Sequence, residues 1–257
     1  MKISIITACF NSASCIQHAL SSVASQDYQD IEHIVIDGGS TDGTLDIINR
    51  YRSGITHVIS EPDNGMYDAM NKGIAMASGD VIGILNADDF YAKDSVIAQI
   101  ATTFEDDVID ACYGDLEYVD TLHTTKVIRY WRSGDYQPER FYHGWMPPHP
   151  TFFVRRALYE KHGGFNLALG SSADYELMLR FLLKHGAKTV YIPKVLVKMR
   201  TGGISNASLG NRLRANRMDR LAWRINGLRP RPWTMCMKPL SKLSQFFRRR
   251  VHDNKNF

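Results

Sequence analysis

Residues 80–91 read DVIGILNADDFY, and this stretch decides how the rest of the chain is interpreted. Its first half, Val81–Leu85, is apolar apart from one glycine, which is typical of a buried parallel strand. The strand stops abruptly at the four residues Asn86–Asp89. The two adjacent carboxylates there oppose each other's ionisation, and a hard divalent cation would relieve that repulsion. An isolated pair of this kind would be interpreted instead as a solvated turn with an Asp capping a helix.

Strand and helix patterns alternate on both sides of this stretch. Strands are predicted at Ile3–Thr7, Ile31–Asp37 and Ile55–Ser60, and helices at about Ala13–Ser25, Thr44–Arg52, Tyr67–Ala77 and Asp94–Phe104. This alternation indicates an α/β fold with a Rossmann-like, doubly wound, mostly parallel sheet. Ligands of such sheets bind beyond the carboxyl ends of the strands, which is where Asp88 and Asp89 are expected.

The composition is that of a globular protein. The chain has 257 residues, of which 44% are hydrophobic and 23% are charged, enough for one large α/β domain or two small ones. Neither a membrane span nor a signal peptide is predicted, because no apolar run is long enough and a strand follows Met1 and Lys2 directly. Four cysteines without metal-ligand spacing favour a reduced, cytoplasmic protein.

Charge is distributed unevenly along the chain. Residues 211–257 carry 13 Lys and Arg but only two Asp, which leaves 18 basic and 25 acidic residues in the first 210. Apolar side chains such as Trp233, Phe246 and Phe247 lie between the basic ones. This mixture suits a segment that lies at an anionic membrane surface, although a nucleic-acid-binding tail has the same signature.

The usual phosphate-binding glycine loops are missing. The first loop, residues 8–12, contains no glycine, and the chain has no P-loop. Asp37 instead ends the second strand, where a carboxylate can accept hydrogen bonds from a base or a ribose; the segment DGGSTDG that begins there also reads as a turn and helix start. Asp68 falls near the same sheet edge, and an ordinary helical ion pair with Lys72 is its simpler interpretation.

The sequence resembles the family-2 glycosyltransferases with the GT-A fold in four ordered segments: TACFN (7–11), DGGSTDGT (37–44), EPDNGMYDAMNKG (61–73) and SGDVIGILNADD (78–89). The similarity covers roughly residues 1–200 and is greatest to bacterial enzymes of colanic-acid, O-antigen, capsule and other exopolysaccharide synthesis. Processive relatives carry Gln-x-x-Arg-Trp near Arg217–Trp223, which here reads RMDRLAW. The missing glutamine implies addition of one sugar per acceptor.

The resemblance implies a donor site and a cation site at this sheet edge. Nucleotide-sugar contacts are expected from Thr7, Phe10, Asn11, Asp37, Asp68, Asn86, Ala87, Asp88, His149 and Arg200. Asp88 and Asp89 match the metal-binding DXD region, with Asn86 at the position of the usual first acid, so that Mn²⁺ or Mg²⁺ would bridge the donor diphosphate. A hydrogen-bonded structural His149 and a surface turn at Arg200 remain as alternatives.

The second half of the chain is expected to bind the acceptor. Short strands are predicted at Ala111–Tyr113, Leu116–Val119, Lys126–Trp131, Thr189–Ile192 and Val195–Arg200. Asp174 matches the catalytic base of the family, which takes a proton from the attacking hydroxyl, although an Asp before an apolar helix is also a common N-cap. Glu176 would be a helix-surface acid or a second acceptor contact. The aromatic residues of 133–148 would form either an acceptor wall or a small core.

We therefore expect a GT-A catalytic domain over residues 1–207, with a nucleotide-sugar half (1–104) and an acceptor half (105–207), followed by basic amphipathic helices over 208–257. The expected reaction is inverting, metal-dependent transfer from a nucleoside diphosphate sugar to a polyprenyl-diphosphate-linked saccharide. It would take place at the inner face of the plasma membrane, without a nucleic-acid partner. A sugar-1-phosphate nucleotidyltransferase and a catalytically degenerate nucleotide-binding scaffold subunit are the alternatives.

Overall fold

The structure, a computed structural model, describes residues 1–202 and 209–241. The strands are β1 (Ile3–Cys9), β2 (Ile31–Asp37), β3 (His57–Ser60), β4 (Val81–Ile84), β5 (Asp89–Tyr91), β6 (Ala111–Val119), β7 (Val127–Trp131), β8 (Phe153–Arg155) and β9 (Thr189–Arg200). The helices are α1 (Ile16–Ala24), α2 (Thr44–Arg50), α3 (Met66–Met76), α4 (Val96–Thr103), α5 (Pro138–Tyr142), α6 (Arg156–His162), α7 (Ala173–Met178), α8 (Leu209–Ile225) and α9 (Thr234–Ser241). No helix within these two ranges is long and apolar enough to span a bilayer.

The strands of the described residues form one sheet in the order β3-β2-β1-β4-β8-β6-β9-β5, with β7 paired to β6. The pairs β3–β2, β2–β1 and β1–β4 are parallel, as is β6–β9. The pairs β4–β8, β8–β6, β6–β7 and β9–β5 are antiparallel. The predicted doubly wound α/β fold is confirmed, and its carboxyl edge in the first half is formed by the ends of β1, β2, β3 and β4.

Alternate side chains of β1 are buried in different layers, as expected for a central strand. Ile3 and Ile5 pack in the cluster that contains the apolar face of α4. Ile6 and Ala8 pack in the cluster that contains the buried side chains of α3. The sheet is therefore covered on both faces, and ligands of such sheets bind at the carboxyl ends of the strands.

Two predicted pairs of strands are single strands in the structure. The predicted gap near Gly114 falls within β6, and the gap at Pro193–Lys194 falls within β9. Gly114 pairs with Ile192 while the next residue, Asp115, pairs with Val195, so Pro193 and Lys194 bulge without ending the strand. A side chain at position 114 would overlap Leu196, which explains the glycine.

The helix predicted from about Leu209 is confirmed as α8, and it packs on α7. Trp223 of α8 is fully buried, and its Nε1 donates to the Tyr175 hydroxyl at 2.9 Å. Asn226 follows α8, and its Nδ2 donates to Glu176 Oε1 at 3.0 Å. The predicted membrane-binding residues beyond Ser241 lie outside the described part of the chain.

Candidate active site

Asp37 is the last residue of β2 and is fully buried. Its Oδ2 accepts hydrogen bonds from the N–H groups of Gly39 (3.2 Å) and Ser40 (3.0 Å) and from Ser60 Oγ (2.7 Å). Burial alone would raise the pKa of this carboxyl, but the hydrogen bonds outweigh it and hold the pKa below its usual range. Asp37 is therefore a fixed anion at the carboxyl edge, where the sequence places it, and its contact with a base stays a prediction.

The loop after β1 is bonded to the loop after β2. Asn11 adopts a φ of 47°, a conformation that Asn tolerates better than most residues. Its N–H donates to Ser40 Oγ at 2.8 Å, and its Oδ1 accepts from Thr41 N–H at 3.0 Å. Phe10 beside it is 61% exposed and can meet a ligand, whereas the Thr7 hydroxyl is buried within hydrogen-bond distance of a histidine.

Asp68 lies in the first turn of α3. Its Oδ2 accepts from the main-chain N–H of Asn64 at 2.9 Å and from Asn64 Nδ2 at 3.2 Å. The Lys72 ammonium pairs with Glu61 Oε1 at 2.7 Å, so the predicted ion pair between Lys72 and Asp68 is wrong. The loop before α3 folds back and brings Glu61 to the lysine, while Asp68 is held by Asn64.

The turn between β4 and β5 carries Asn86, Asp88 and Asp89. Asp89 is completely buried, so the interpretation of this segment as a solvated turn is wrong. Burial raises the pKa of both carboxyls, and the neighbouring Asp88 charge raises that of Asp89 further. Asn86 Nδ2 donates to Asp89 Oδ2 at 3.2 Å. The Oδ1 atoms of Asn86 and Asp89 are buried without a hydrogen-bond partner among the described residues.

These oxygens fit a hard divalent cation. The orphaned Oδ1 atoms and the half-buried Asp88 carboxylate are ligands of the kind that Mg²⁺ and Mn²⁺ prefer. Residues 1–202 and 209–241 contain no group of three or more His, Cys, Asp or Glu that could hold a metal alone. A cation here would complete its coordination with phosphate oxygens and water, as Mg²⁺ commonly does.

Arg200, the last residue of β9, holds this turn in place. It is only 6% exposed, and its Nη1 donates to the main-chain oxygen of Asp88 at 2.7 Å. Its Nη2 donates to His18 Nδ1, and its guanidinium lies 5.2 Å from the Phe90 ring centroid. The alternative of a surface turn at Arg200 is therefore wrong. The buried charge partly offsets the effect of burial on the pKa values of Asp88 and Asp89.

Asp174 lies in the first turn of α7, and its Oδ1 accepts from Tyr175 N–H at 2.7 Å. Ser172 occupies the N-cap, so the interpretation of Asp174 as a cap is wrong. The Tyr67 hydroxyl of α3 lies beside Asp174, and burial followed by the Asp174 charge raises the pKa of Tyr67. His149 also faces this carboxylate. Its two ring nitrogens are buried and have no hydrogen-bond partner within the described ranges, and burial lowers its pKa.

Tyr118 of β6 lies two strands away from the turn at Asn86–Asp89, because Tyr118 and Asp89 both pair with Met199 of β9. Burial raises the pKa of the Tyr118 phenol, the Arg129 charge lowers it, and both Asp89 and Asp174 raise it. The phenol is therefore within electrostatic reach of both carboxylates. Asp37 and Asp68 lie further along the carboxyl edge.

Two expectations for the second half are settled by burial. Glu176 is 2% exposed, and its Oε1 accepts from Arg180 Nε (2.9 Å) and from Asn226 (3.0 Å), so it is neither a surface acid nor an acceptor contact. Phe141 and Trp145 are buried with ring centroids 5.4 Å apart. The aromatic segment therefore contributes to the core, as the second of its two interpretations predicted.

Sequence reasoning missed several side chains of the site. Tyr67 stands next to the quoted Asp68, but no local pattern marks it as a neighbour of Asp174. Tyr118 and Arg129 lie on ordinary-looking strands, and their position follows from strand pairing alone. The cysteine pattern points only to the redox compartment, yet the charges of Asp88, Arg200 and Asp89 affect the pKa of the Cys15 thiol.

Comparisons with known proteins identify the family. Residues 4–163 match the sequence model of Glycosyl transferase family 2. An uncharacterized glycosyltransferase of Mycobacterium tuberculosis is 34% identical over 207 residues, which cover 79% of this chain and 77% of the relative. A PGL/p-HBAD biosynthesis glycosyltransferase of Mycobacterium bovis is 31% identical over 208 residues, with coverage of 79% and 78%.

Solved structures show the same fold. S. aureus TarS 1–349 in complex with UDP-GlcNAc has a TM-score of 0.70 at 19% identity, over 96% of this chain and 72% of that chain. The mannosyltransferase PcManGT of Pyrobaculum calidifontis, in complex with GDP-Man and Mn²⁺, has a TM-score of 0.63 at 18% identity, over 94% and 69%. The chain therefore belongs to glycosyl transferase family 2, has the GT-A fold, and is a glycosyltransferase enzyme.

Proposed function

We propose that this enzyme takes one sugar from a nucleoside diphosphate sugar and adds it, with inversion, to a lipid-linked saccharide of bacterial surface polysaccharide synthesis. The observation that carries the proposal is the turn at Asn86–Asp89, where the Oδ1 atoms of Asn86 and Asp89 are buried without a hydrogen-bond partner among the described residues. Such oxygens suit a divalent cation that would neutralise the charge of a donor diphosphate. Family membership favours glycosyl transfer over the nucleotidyltransferase. The retained carboxylates Asp88, Asp89 and Asp174 argue against the degenerate scaffold.

The donor side of the site is built from the carboxyl edge of the first half. Asp37 offers a fixed carboxylate, Phe10 an exposed ring, and the turn at Asn86–Asp89 the oxygens for a cation. A bound Mn²⁺ or Mg²⁺ would neutralise charge on the departing diphosphate. Solved structures of the same fold contain UDP-GlcNAc and GDP-Man, which supports a nucleoside diphosphate sugar as the donor.

The acceptor side supplies the base. Asp174 would accept the proton of the acceptor hydroxyl while its oxygen attacks the anomeric carbon. The new glycosidic C–O bond forms as the bond to the diphosphate breaks, and that bonding pair leaves with the diphosphate. A single displacement of this kind inverts the anomeric configuration. His149, whose ring nitrogens are buried without a hydrogen-bond partner among the described residues and whose pKa is lowered by burial, would hydrogen-bond a bound hydroxyl or phosphate oxygen.

The C-terminal residues would bring the enzyme to its lipid-linked acceptor. Residues 242–257 contain Lys242, the arginines at 248–250 and two adjacent phenylalanines. Each basic side chain near an anionic membrane surface contributes about 1 kcal/mol of binding energy. We therefore place the enzyme at the cytoplasmic face of the plasma membrane as a peripheral protein.

The test combines donor binding with transfer. Calorimetry with UDP-, GDP- and dTDP-sugars, with and without Mn²⁺, identifies the donor, and nucleotide release with a polyprenyl-diphosphate saccharide measures transfer. Asp174→Asn should lower transfer by about a hundredfold or more, because general base catalysis is lost, while donor affinity changes by less than about threefold.

The matched control is Glu160→Gln, the same acid-to-amide change at an exposed residue of α6. It should leave transfer unchanged. A folded Asp174→Asn protein that transfers sugar at the wild-type rate would show that the base has been misassigned.

A further inference from the structure

The hairpin formed by β6 and β7 leaves the sheet at the same edge as the candidate active site. Strand β6 is antiparallel to β8, and β8 is antiparallel to β4, so β6 and β4 run in the same direction. The carboxyl end of β6 therefore lies at the edge where β4 leads into the turn at Asn86–Asp89. Val119, the last residue of β6, pairs with Arg200, which bonds that turn. Residues 120–126, which connect the two strands, are named the hairpin tip.

The hairpin tip has a fixed shape. Asp120 Oδ1 accepts hydrogen bonds from the N–H groups of Leu122 at 3.0 Å and His123 at 2.9 Å. The Thr121 hydroxyl donates to the main-chain oxygen of Thr201 at 2.6 Å, which ties the tip to the end of β9. The backbone that carries Leu122 is therefore held in one position relative to the sheet edge.

This end of the hairpin presents apolar surface to solvent. The Leu122 side chain is 85% exposed, and Val127 and Ile128 at the start of β7 are exposed as well. Among the described strands, β7 pairs with β6 alone, so both residues lie on an edge strand. Three aliphatic side chains at one end of a hairpin form a cluster, and exposed apolar clusters mark contacts with proteins or membranes.

The charges of the hairpin favour an anionic membrane as the partner. Lys126 and Arg132 are exposed basic residues beside the apolar cluster. Asp120 is the only acid among residues 120–132, and its carboxylate already accepts from the N–H groups of the tip. Exposed apolar side chains flanked by basic ones are typical of a segment that lies in the interface of anionic lipids.

We propose that the hairpin tip, with Val127 and Ile128 beside it, enters the interfacial region of an anionic membrane and turns the carboxyl edge of the sheet towards the lipid-linked acceptor. The inference rests on the proposed transfer to a lipid-linked saccharide, and it adds the surface that orients the enzyme. The tip alone is too small for stable attachment, which takes two weak membrane signals together. The basic residues from Lys242 onward would supply most of the affinity, and the hairpin would supply the orientation.

Brominated phospholipids test this contact directly, because bromine quenches the fluorescence of a tryptophan that lies among the lipids. In the full-length chain, Leu122→Trp should add fluorescence that vesicles of brominated phosphatidylglycerol quench. Val108→Trp is the matched control, since Val108 is an exposed aliphatic residue just before β6 and therefore lies at the opposite edge of the sheet. The fluorescence that Val108→Trp adds should not be quenched.

A polar substitution tests the contribution of the tip to binding. Leu122→Asp should weaken the binding of the full-length chain to phosphatidylglycerol vesicles by about tenfold or more, because that is the effect of burying a leucine side chain. Val108→Asp should bind as the wild type does. Sedimentation over a range of lipid concentrations measures both affinities, and sedimentation equilibrium without lipid measures the oligomeric state.

The inference would be overturned if the fluorescence added by Leu122→Trp were not quenched, or if Leu122→Asp bound vesicles with the wild-type affinity. A wild-type dimer that Leu122→Asp dissociates would also overturn it, because the tip would then contact a second copy of the chain. None of these measurements involves sugar transfer, which is assayed separately with donor and acceptor in detergent solution. A negative result at the tip would therefore leave the proposed glycosyl transfer standing.

Discussion

Arg200 holds the turn at Asn86–Asp89 in place from a distant part of the chain. Arg200 lies 112 residues from Asp88, and its guanidinium bonds the Asp88 main-chain oxygen and His18 while it covers Phe90. A compact ammonium cannot reproduce these contacts, because its three donors lie on one nitrogen, whereas the guanidinium donates from separate nitrogens of a plane that also stacks on a ring. The geometry of the carboxylates therefore depends on the shape of Arg200 as well as on its charge.

Arg200→Lys should lower the free energy of unfolding by about 1–3 kcal/mol, since a charge-assisted hydrogen bond is lost in a buried place. Donor affinity in Mn²⁺ should fall as well, because the turn is no longer fixed. Urea unfolding and calorimetry measure the two effects. Arg50→Lys, the same change at an exposed residue of α2, is the control. Wild-type stability and affinity in Arg200→Lys would contradict the assigned role.

The free energy of unfolding at acid pH should depend on His33. This residue is buried on β2, and its Nε2 lies 3.1 Å from the Thr7 hydroxyl. Burial lowers its pKa from 6.5 to about 4. As the pH falls below 6.5 the unfolded chain takes up the proton first, so the stability given by neutral His33 is complete above pH 6.5 and is lost towards pH 4. The expected slope approaches about 1.4 kcal/mol per pH unit.

Urea unfolding between pH 7 and pH 4.5 measures that slope. His33→Gln should flatten it, because the variant has no imidazole to protonate. His57→Gln, at an exposed position of β3, should keep the wild-type slope. Equal slopes in all three proteins would show that the His33 ring is not the group that titrates.

Some residues of the site can be identified from the sequence alone, and others cannot. Asp37, Asp88 and Asp174 lie at strand or helix boundaries that local patterns mark, so the sequence alone identifies them as candidates. For Arg200 only the surface-turn interpretation is wrong, because its partners come from α1 and from the turn after β4. Its contact with the donor stays a prediction. Arg129 was not named at all, since nothing in its neighbourhood on β7 reveals that it faces Tyr118.

At the scale of the elements, the predicted strands agree with the structure in the parallel half of the sheet and disagree with it in the mixed half. Strands β1, β2 and β4 are short apolar runs bounded by turns, which local patterns identify well. Strand β5 begins at Asp89, inside the segment predicted as a turn, and exists because it pairs with β9. Strands β6 and β9 continue through Gly114 and Pro193 because Pro193 and Lys194 form a bulge in β9. No local sequence pattern predicts this bulge.

The junction of the two halves depends on a close contact between β4 and β8. A Cβ added at Gly83 would lie 2.3 Å from Phe153 Cε1, so the ring of Phe153 occupies the space of the missing side chain. Gly83→Ala should destabilise the protein by about 1–3 kcal/mol through overpacking.

Phe153→Leu should cost less in the Gly83→Ala background than in the wild type, because the smaller side chain relieves the overlap. Urea unfolding of the four proteins in a double-mutant cycle measures the coupling. Additive free energies in this cycle would mean that the two residues do not share the space.

At the scale of the whole molecule, the C-terminal region divides into a part that completes the core and a part that the sequence assigns to the membrane. Trp223 and Met235 are buried in the main apolar cluster, and the Lys238 ammonium lies 2.7 Å from Asp219 Oδ2 and 3.7 Å from the Tyr175 ring centroid. These contacts hold α8 and α9 on the helix that carries Asp174.

Two truncations separate the parts. A chain ending at Ala207 should lose cooperative thermal unfolding, because removing a buried Trp alone costs about 3–5 kcal/mol and a domain has only about 5–15 in total. A chain ending at Ser241 should keep its melting temperature and lose binding to vesicles that contain phosphatidylglycerol, since the basic residues from Lys242 onward are gone. Pure phosphatidylcholine vesicles are the control for charge. A 1–241 chain that still sediments with anionic vesicles would locate the membrane contact elsewhere, and a 1–207 chain with the wild-type melting temperature would show that α8 and α9 are dispensable for the fold.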